Sequence, residues 1–227
     1  MKQKITCFCD NIFEVETFEE INLDSDPAFL DSILDGSFMN FTCPRCGKKH
    51  KPEFKLSVLW PSKKIRFEVF PELDRGEFYR RKKQHADKKP YPLETIIGYP
   101  EMAERLAVIR DGYDPAPIES IKYYLYVKAE EQYPDDELEI WYYGTSCTPG
   151  ASISAGTSLP IKEQGTMLEF HIHGIRENEV AVMKIPFSTY QKTYEDFKRN
   201  PKSEIFSALR VRSYLSVKNM MRPEELK

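Results

Sequence analysis

The sequence reads Phe41-Thr42-Cys43-Pro44-Arg45-Cys46-Gly47-Lys48 at the point that decides the fold of its N-terminal region. Two thiolates separated by two residues can bind one metal ion when the backbone between them bends tightly and turns its amide N–H groups towards the sulfurs. Pro44 presets φ for such a bend, and Gly47 tolerates the left-handed conformation that often closes it. The stretch therefore predicts a metal-binding turn.

A second pair of cysteines, Cys7 and Cys9, lies near the N-terminus. With Cys43 and Cys46 it supplies the four sulfurs of a tetrahedral zinc site, which is closed and hence structural rather than catalytic. A gap of one residue does not allow the turn that we expect between Cys43 and Cys46. Phe8 fills this gap, and we expect its large apolar side chain to shield both sulfurs.

Two further residues are alternative ligands, namely His50, four residues after Cys46, and the distant Cys147. A site of three cysteines and His50 is compatible with zinc. His50 stands among lysines, however, and this pattern is more typical of a solvated basic turn. Cys147 has no base or cation close in sequence that would activate it, so we expect an inert thiol there.

The cysteine motifs belong to a wider pattern over the first half of the chain. Its other parts are Glu20-Ile21-Asn22, Asp26-Pro27, Ile33-Leu34-Asp35-Gly36, Phe38-Met39-Asn40, Val58-Leu59-Trp60-Pro61, Phe70-Pro71, Arg105-Leu106 and Asp111-Gly112-Tyr113-Asp114. This pattern resembles the CpXC family, whose bacterial and archaeal members carry two Cys-Pro-x-Cys motifs. The second motif is matched in full, whereas Cys7-Phe8-Cys9 lacks the proline and one spacer. The resemblance implies a bacterial protein with bound zinc and a zinc ribbon-like fold, and it implies no activity, because the family is functionally uncharacterised.

Composition indicates a globular protein. The 227 residues are 41% hydrophobic and 13% aromatic, which is enough to bury a real core. We find no apolar run of the roughly 18 residues that a membrane span needs, and Met1-Lys2-Gln3-Lys4 leads into cysteines rather than into an apolar signal region. Five cysteines, two of them in a metal-like turn, fit a reducing compartment. We therefore predict a cytoplasmic protein with no membrane association.

Charge is unevenly distributed although the net charge is only -3. Between Ile5 and Pro44 there is no Lys or Arg. The acidic residues of this stretch are Asp10, Glu14, Glu16, Glu19, Glu20, Asp24, Asp26, Asp31 and Asp35. This face disfavours nucleic acid as a partner, because phosphate binding requires positive potential. A basic cluster at residues 79–90, flanked by Tyr79 and Tyr91, suits base stacking, but such blocks of like charge are more typical of solvated loops.

Hydrophobic periodicity predicts the α+β class for the N-terminal part. We expect a strand at residues 12–16, then a short helix that is capped by Asp26, begins at Pro27 and stops at Gly36. Alternation at residues 54–58 and 65–69 predicts a β-hairpin. Two helices follow, one at residues 100–110 and one that Asp114 caps.

The C-terminal part is predicted to contain antiparallel strands followed by helices. Residues 137–143 read as a strand, and residues 144–165 read as a loop in which 150–156 resembles a phosphate-binding loop only superficially. Alternation predicts a second hairpin at residues 167–173 and 180–185, and Ser188 caps a helix that ends before Pro201. Residues 203–227 are compatible with either helix or strand. We place the domains at residues 1–130 and 131–227.

One strand of the second hairpin carries polar side chains that could bind a metal or take part in catalysis. Glu169, His171 and His173 share a face, opposite Leu168, Phe170 and Ile172. Two histidines at this spacing can share a metal, with Glu169 as a base, but the sequence provides no third ligand. A solvent-facing strand explains the same pattern, and we assign no catalytic residue.

These observations favour a zinc-stabilised binding or scaffolding protein with a protein partner and no enzymatic activity. Two alternatives come from other classes. One is a thiol redox switch that uses the zinc cysteines, because a one-spaced pair combined with a two-spaced pair is also found in a redox-regulated chaperone. The other is an enzyme that uses the face of Glu169, His171 and His173.

Overall fold

A computed structural model describes residues 1–80, 91–134, 136–147 and 165–221. These residues form several β-sheets and six α-helices, which confirms the predicted α+β class. They fall into two compact units, one from Met1–Leu106 with Arg212–Tyr214 and one from Ala107–Val211 with residues 215–221. Compactness does not define where independent folding begins, so the domain division at residue 130 stays a prediction. No helix within the described ranges is long and apolar enough to cross a membrane.

The first unit begins with an antiparallel hairpin, which leads into a short strand and a short helix. These elements are β1 (Lys2–Thr6), β2 (Ile12–Glu16), β3 (Glu20–Asn22) and α1 (Ala28–Leu34). The Oδ1 atom of Asp26 accepts a hydrogen bond from the Ala28 N–H at 3.2 Å, as expected of a cap. The helix begins one residue later than predicted, after Pro27. Gly36 follows the helix with φ of 75°.

The main sheet of this unit mixes parallel and antiparallel pairs. The elements that follow α1 are, in chain order, β4 (Phe41–Thr42), β5 (Lys49–His50), β6 (Leu56–Trp60), β7 (Ile65–Phe70), α2 (Arg75–Arg80) and β8 (Leu93–Ile97). The strands β6 and β7 form the predicted antiparallel hairpin. Parallel pairing adds β3 beside β6 and β8 beside β7. The small hairpin of β4 and β5 lies outside this sheet.

The core of the first unit lies on this sheet. Leu56 and Val58 of β6 are buried, as are Phe67 and Val69 of β7 and Ile96 of β8. The basic cluster that the sequence places at residues 79–90 lies almost wholly outside the described residues, which resume at Tyr91.

Two helices follow the sheet, α3 (Tyr99–Arg110) and α4 (Pro115–Gln132). The second helix starts as predicted, because the Oδ1 atom of Asp114 accepts a hydrogen bond from the Ala116 N–H at 2.9 Å. Its Tyr126 is buried and Tyr124 is exposed, so the tyrosine run is only partly core.

The second unit contains a three-stranded antiparallel sheet in the order β11-β10-β9. The strands are β9 (Glu139–Cys147), β10 (Thr166–His173) and β11 (Ala181–Pro186). The prediction of a loop from residue 144 was wrong over its first four residues, because pairing of Cys147 with Thr166 extends β9. Residues 148–164, including 150–156, lie outside the described part of the chain.

The last described segment contains both helix and strand. Its elements are α5 (Phe187–Arg199), α6 (Glu204–Ala208), β12 (Arg210–Val211) and β13 (Tyr214–Leu215). The helix α5 starts directly after Pro186, so the expected Ser188 cap was wrong. The tail that the sequence left open forms a helix at 204–208 and short strands after it. Tyr214 pairs in parallel with Thr95 and so joins the main sheet of the first unit.

Candidate metal centre

The turn between β1 and β2 presents the first two cysteines. The Cys7 N–H donates to the carbonyl of Asn11 at 2.9 Å, and the Asp10 N–H donates to the carbonyl of Cys7 at 2.9 Å. Asp10 has φ of 61°, a left-handed conformation that Asp adopts more readily than most residues. This reversal of the chain direction places the thiols of Cys7 and Cys9 close to each other.

The turn between β4 and β5 presents the other two cysteines. The Cys43 N–H donates to the carbonyl of Lys48 at 2.9 Å, and the Gly47 N–H donates to the carbonyl of Cys43 at 2.9 Å. Gly47 has φ of 72°, which confirms the left-handed closure expected from the sequence.

The two turns bring four sulfurs together. The Sγ atoms of Cys7, Cys9, Cys43 and Cys46 all lie within 4.8 Å of one another. Two of the separations run between the turns, 3.5 Å from Cys7 Sγ to Cys46 Sγ and 3.8 Å from Cys9 Sγ to Cys43 Sγ. Cys7 and Cys43 are buried, Cys9 is half-buried and Cys46 is exposed. Such a cluster can hold a metal ion.

Backbone hydrogen bonds and burial compete at the two buried sulfurs. At Cys7 the backbone hydrogen bond from Cys9 favours the thiolate, but burial and the neighbouring thiols outweigh it and raise the pKa to about 12. At Cys43 burial opposes ionisation, but backbone hydrogen bonds from Cys46 and Arg45 prevail and lower the pKa to about 6. The Cys43 turn therefore stabilises negative charge on sulfur, which is the state that binds metals.

Two neighbours of the cluster were not apparent from sequence, and a third, His50, was named only as an alternative ligand. The Asn11 side chain donates to Cys43 Sγ at 3.6 Å, and Arg45 donates to the carbonyl of Cys9 at 3.1 Å, which connects the two turns. The interpretation of His50 as part of a solvated turn was wrong, since its Nε2 atom lies 3.1 Å from Cys7 Sγ. His50 follows the second cysteine pair on β5, and antiparallel pairing returns this strand to the cluster.

Phe8 does not shield the sulfurs. Its side chain is 84% exposed and its ring stacks on His50 at a centroid distance of 5.6 Å. The two cysteines on either side of Phe8 instead face the second turn, where their sulfurs lie within 4.8 Å of those of Cys43 and Cys46.

The second candidate site, on β10, has the predicted faces. Leu168, Phe170 and Ile172 are buried, and the opposite face carries the polar residues. Glu169 pairs with Lys184 at 2.7 Å, and this hydrogen bond holds the pKa of the carboxyl below its usual value. The ring of His171 stacks on Tyr143 at 4.0 Å. Burial and then the charge of His173 lower the pKa of His171.

In the described part of the chain, this polar face does not bring three potential metal ligands together. Among the described residues, the group of three or more potential ligands that lie together is the cysteine cluster, and Glu169, His171 and His173 do not form one. The carboxylate of Glu169 is paired with Lys184, and the imidazole of His171 stacks on Tyr143. The geometry matches a polar sheet surface.

The fold and the cluster define an α+β protein with a zinc ribbon-like cysteine cluster near its N-terminus. The family described as CpXC protein matches residues 5–122, which is more than half of the chain. The protein therefore belongs to the CpXC family. It is similar to an uncharacterised protein of Treponema pallidum (strain Nichols), with 26% identity over 229 residues, 96% of this chain and 97% of the relative. No solved structure matches the chain.

Proposed function

We propose that the protein is a zinc-stabilised cytoplasmic binding or scaffolding protein whose four clustered cysteines hold one structural zinc ion. Sulfurs at about 2.3 Å from a tetrahedral zinc lie about 3.8 Å from one another. The separations of 3.5 Å and 3.8 Å between the turns fit these edges. This match is the observation that carries the proposal.

Zinc suits the ligand set and the local fold. Four thiolates favour soft or borderline metals, and four protein ligands leave no open position for catalysis. The hairpin that carries Cys43 and Cys46 is short, since β4 and β5 have two residues each. Two-stranded hairpins of this size are marginal in water, so a shared metal would supply much of their stability.

The compartment and the role are inferred from the same site. Thiols at metal-compatible spacing persist in a reducing compartment, which supports a cytoplasmic location. A closed metal site and an ion-paired polar face on β10 support binding rather than catalysis.

The first prediction concerns metal content. We expect one zinc per chain in freshly purified protein, and we expect Cys43→Ser or Cys46→Ser to lose the zinc together with much of the stability. Structural zinc contributes on the order of 10 kcal/mol of folding free energy in small domains. Elemental analysis and urea unfolding measure both effects.

Cys147→Ser provides the matched control, because it removes the one cysteine of the sequence that is not among the four proposed ligands. This variant should retain one zinc per chain. Folded, reduced protein without metal would contradict the proposal.

A further inference from the structure

The first unit contains a cavity of about 290 Å³, which is lined mainly by apolar side chains of α1, of α3 and of the segment between α1 and β4. Its apolar lining comprises Ile33, Phe38, Pro100, Met102 and Ala103. Small-molecule pockets of similar apolar character have volumes from about 300 Å³ upwards and carry a few convergent polar groups that orient the ligand. The cavity is therefore at the lower end in size, and its polar lining decides what it can accept.

The polar groups of the lining are mostly used by the protein itself. The Glu53 carboxylate accepts hydrogen bonds at 2.6 Å from the backbone N–H groups of Glu72 and Tyr99. The Tyr99 hydroxyl donates to the carbonyl of Phe54 and accepts from its N–H, both at 3.1 Å. The Lys51 ammonium donates to the carbonyl of Gly36 at 2.8 Å. The cavity thus offers an apolar interior rather than a set of orienting groups.

An aromatic stripe leads into the cavity. It consists of Phe18, Phe29, Phe38 and Tyr99, in which successive ring centroids lie 4.9 Å, 6.2 Å and 5.6 Å apart. Phe18 at one end is 42% exposed, and Phe38 and Tyr99 at the other end line the cavity. Aromatic surface that is continuous with a pocket is typical of interaction sites, in which one partner side chain fills the pocket.

The charges near the stripe are mainly acidic. Glu19 and Glu20 follow Phe18 in sequence, Asp31 lies in α1, and Asp35 follows that helix directly. Lys51 is the basic residue of the cavity lining, and its charge interacts with Asp35. The stretch from Ile5 to Pro44 contains no Lys or Arg. A partner that places positive charge beside an apolar anchor complements this surface.

We propose that the aromatic stripe and its cavity bind a protein segment that carries large apolar side chains flanked by Lys or Arg. One apolar side chain enters the cavity at Ala103, a second packs on the stripe, and the basic flanks face the acidic residues of the N-terminal region. This inference names the partner chemistry of the proposed binding function and rests on it.

The test uses zinc-loaded full-length protein and a dye-labelled synthetic peptide with a central Leu-Phe pair between two Lys-Lys pairs. Fluorescence anisotropy should show saturable binding that weakens with salt. Two control peptides carry Ala-Ala in place of Leu-Phe, or Glu in place of every Lys, and both should bind at least about tenfold more weakly.

Two variants test the surface itself. Ala103→Leu fills the cavity and should weaken binding of the Leu-Phe peptide at least about tenfold, whereas Ala181→Leu, at an exposed position of β11, should not change it. The double variant Glu19→Gln, Asp31→Asn changes exposed charges only, and it should reduce the salt dependence while the protein stays folded.

Two results would overturn the inference. One is that the Leu-Phe peptide does not bind, with or without binding of decanoate to the protein. The other is that the Leu-Phe peptide binds and Ala103→Leu leaves its affinity unchanged. Binding of decanoate without binding of the peptide would identify the cavity as a small-molecule pocket. Zinc content measured on the same samples separates failure of this inference from failure of the metal proposal. A protein that holds one zinc per chain but does not bind the peptide would contradict only the inference about the binding surface.

Discussion

Each sulfur of the cluster has its own surroundings. Cys7 and Cys43 are 3% and 1% exposed and hydrogen-bonded to neighbours, whereas Cys46 is open to solvent. His50 contacts Cys7, and Asn11 contacts Cys43. Oxidants therefore have direct access to one of the four sulfurs, that of Cys46. The rate at which the cluster reacts with an oxidant distinguishes a structural metal site from a redox switch.

We expect slow zinc release when the protein is treated with mild peroxide. In a switch, two thiolates give up two electrons and form one disulfide, while hydrogen peroxide takes up these electrons and two protons and becomes two water molecules. A zinc-bound thiolate is a poorer nucleophile than a free one, and two of the four sulfurs are buried. A chromogenic chelator measures the release over time.

Disulfide mapping after peroxide treatment decides the alternative. Release within minutes, with a disulfide that reverses on reduction, would promote the redox switch. In that case we expect disulfides between Cys7 and Cys46 and between Cys9 and Cys43, because these sulfurs already lie 3.5 Å and 3.8 Å apart.

At the scale of the element, strand β10 provides a clear test of side-chain orientation. Leu168 is fully buried, and His173 at the end of the strand is exposed. We expect Leu168→Ala to lower the free energy of unfolding by about 2–5 kcal/mol, because it removes buried methyl groups and leaves a cavity. His173→Ala should change it by less than about 0.5 kcal/mol. Urea unfolding of both variants measures the difference, and equal effects would refute the assignment of faces.

Local sequence signals predicted individual elements well. The alternation of Leu168, Phe170 and Ile172 indicated the buried face of β10, and Asp114 marked the start of α4. These signals work because each depends on neighbours within a few residues.

Pairings between distant segments were not predictable from one sequence. The parallel pairing of β3 with β6 was missed because it joins strands of which one has only three residues. The extension of β9 depends on a partner strand across a long connection. The spacing of the cysteines predicted that their four sulfurs would lie together. The contact of His50 with Cys7 could not be predicted in this way, because it depends on strand pairing. The cavity requires residues from 33 to 103 to converge.

At the scale of the whole molecule, charge argues against nucleic acid as a partner. The net charge is -3 and the N-terminal region is acidic. We expect no salt-dependent binding to a single-stranded oligonucleotide, and no change when Arg80, Arg81, Lys82 and Lys83 are replaced by Ala. Micromolar binding that falls steeply with salt and disappears in the Ala variant would contradict this expectation.

The chain order of the two cysteine turns has a consequence during synthesis. The partners Cys7 and Cys46 are 39 residues apart, and Cys9 and Cys43 are 34 residues apart. At about 5–20 residues per second, the ribosome needs roughly 2–8 s to add such a stretch. For that interval the nascent chain carries one half of the cluster alone, so competing thiols and metals meet a two-sulfur chelator before the second half has been made.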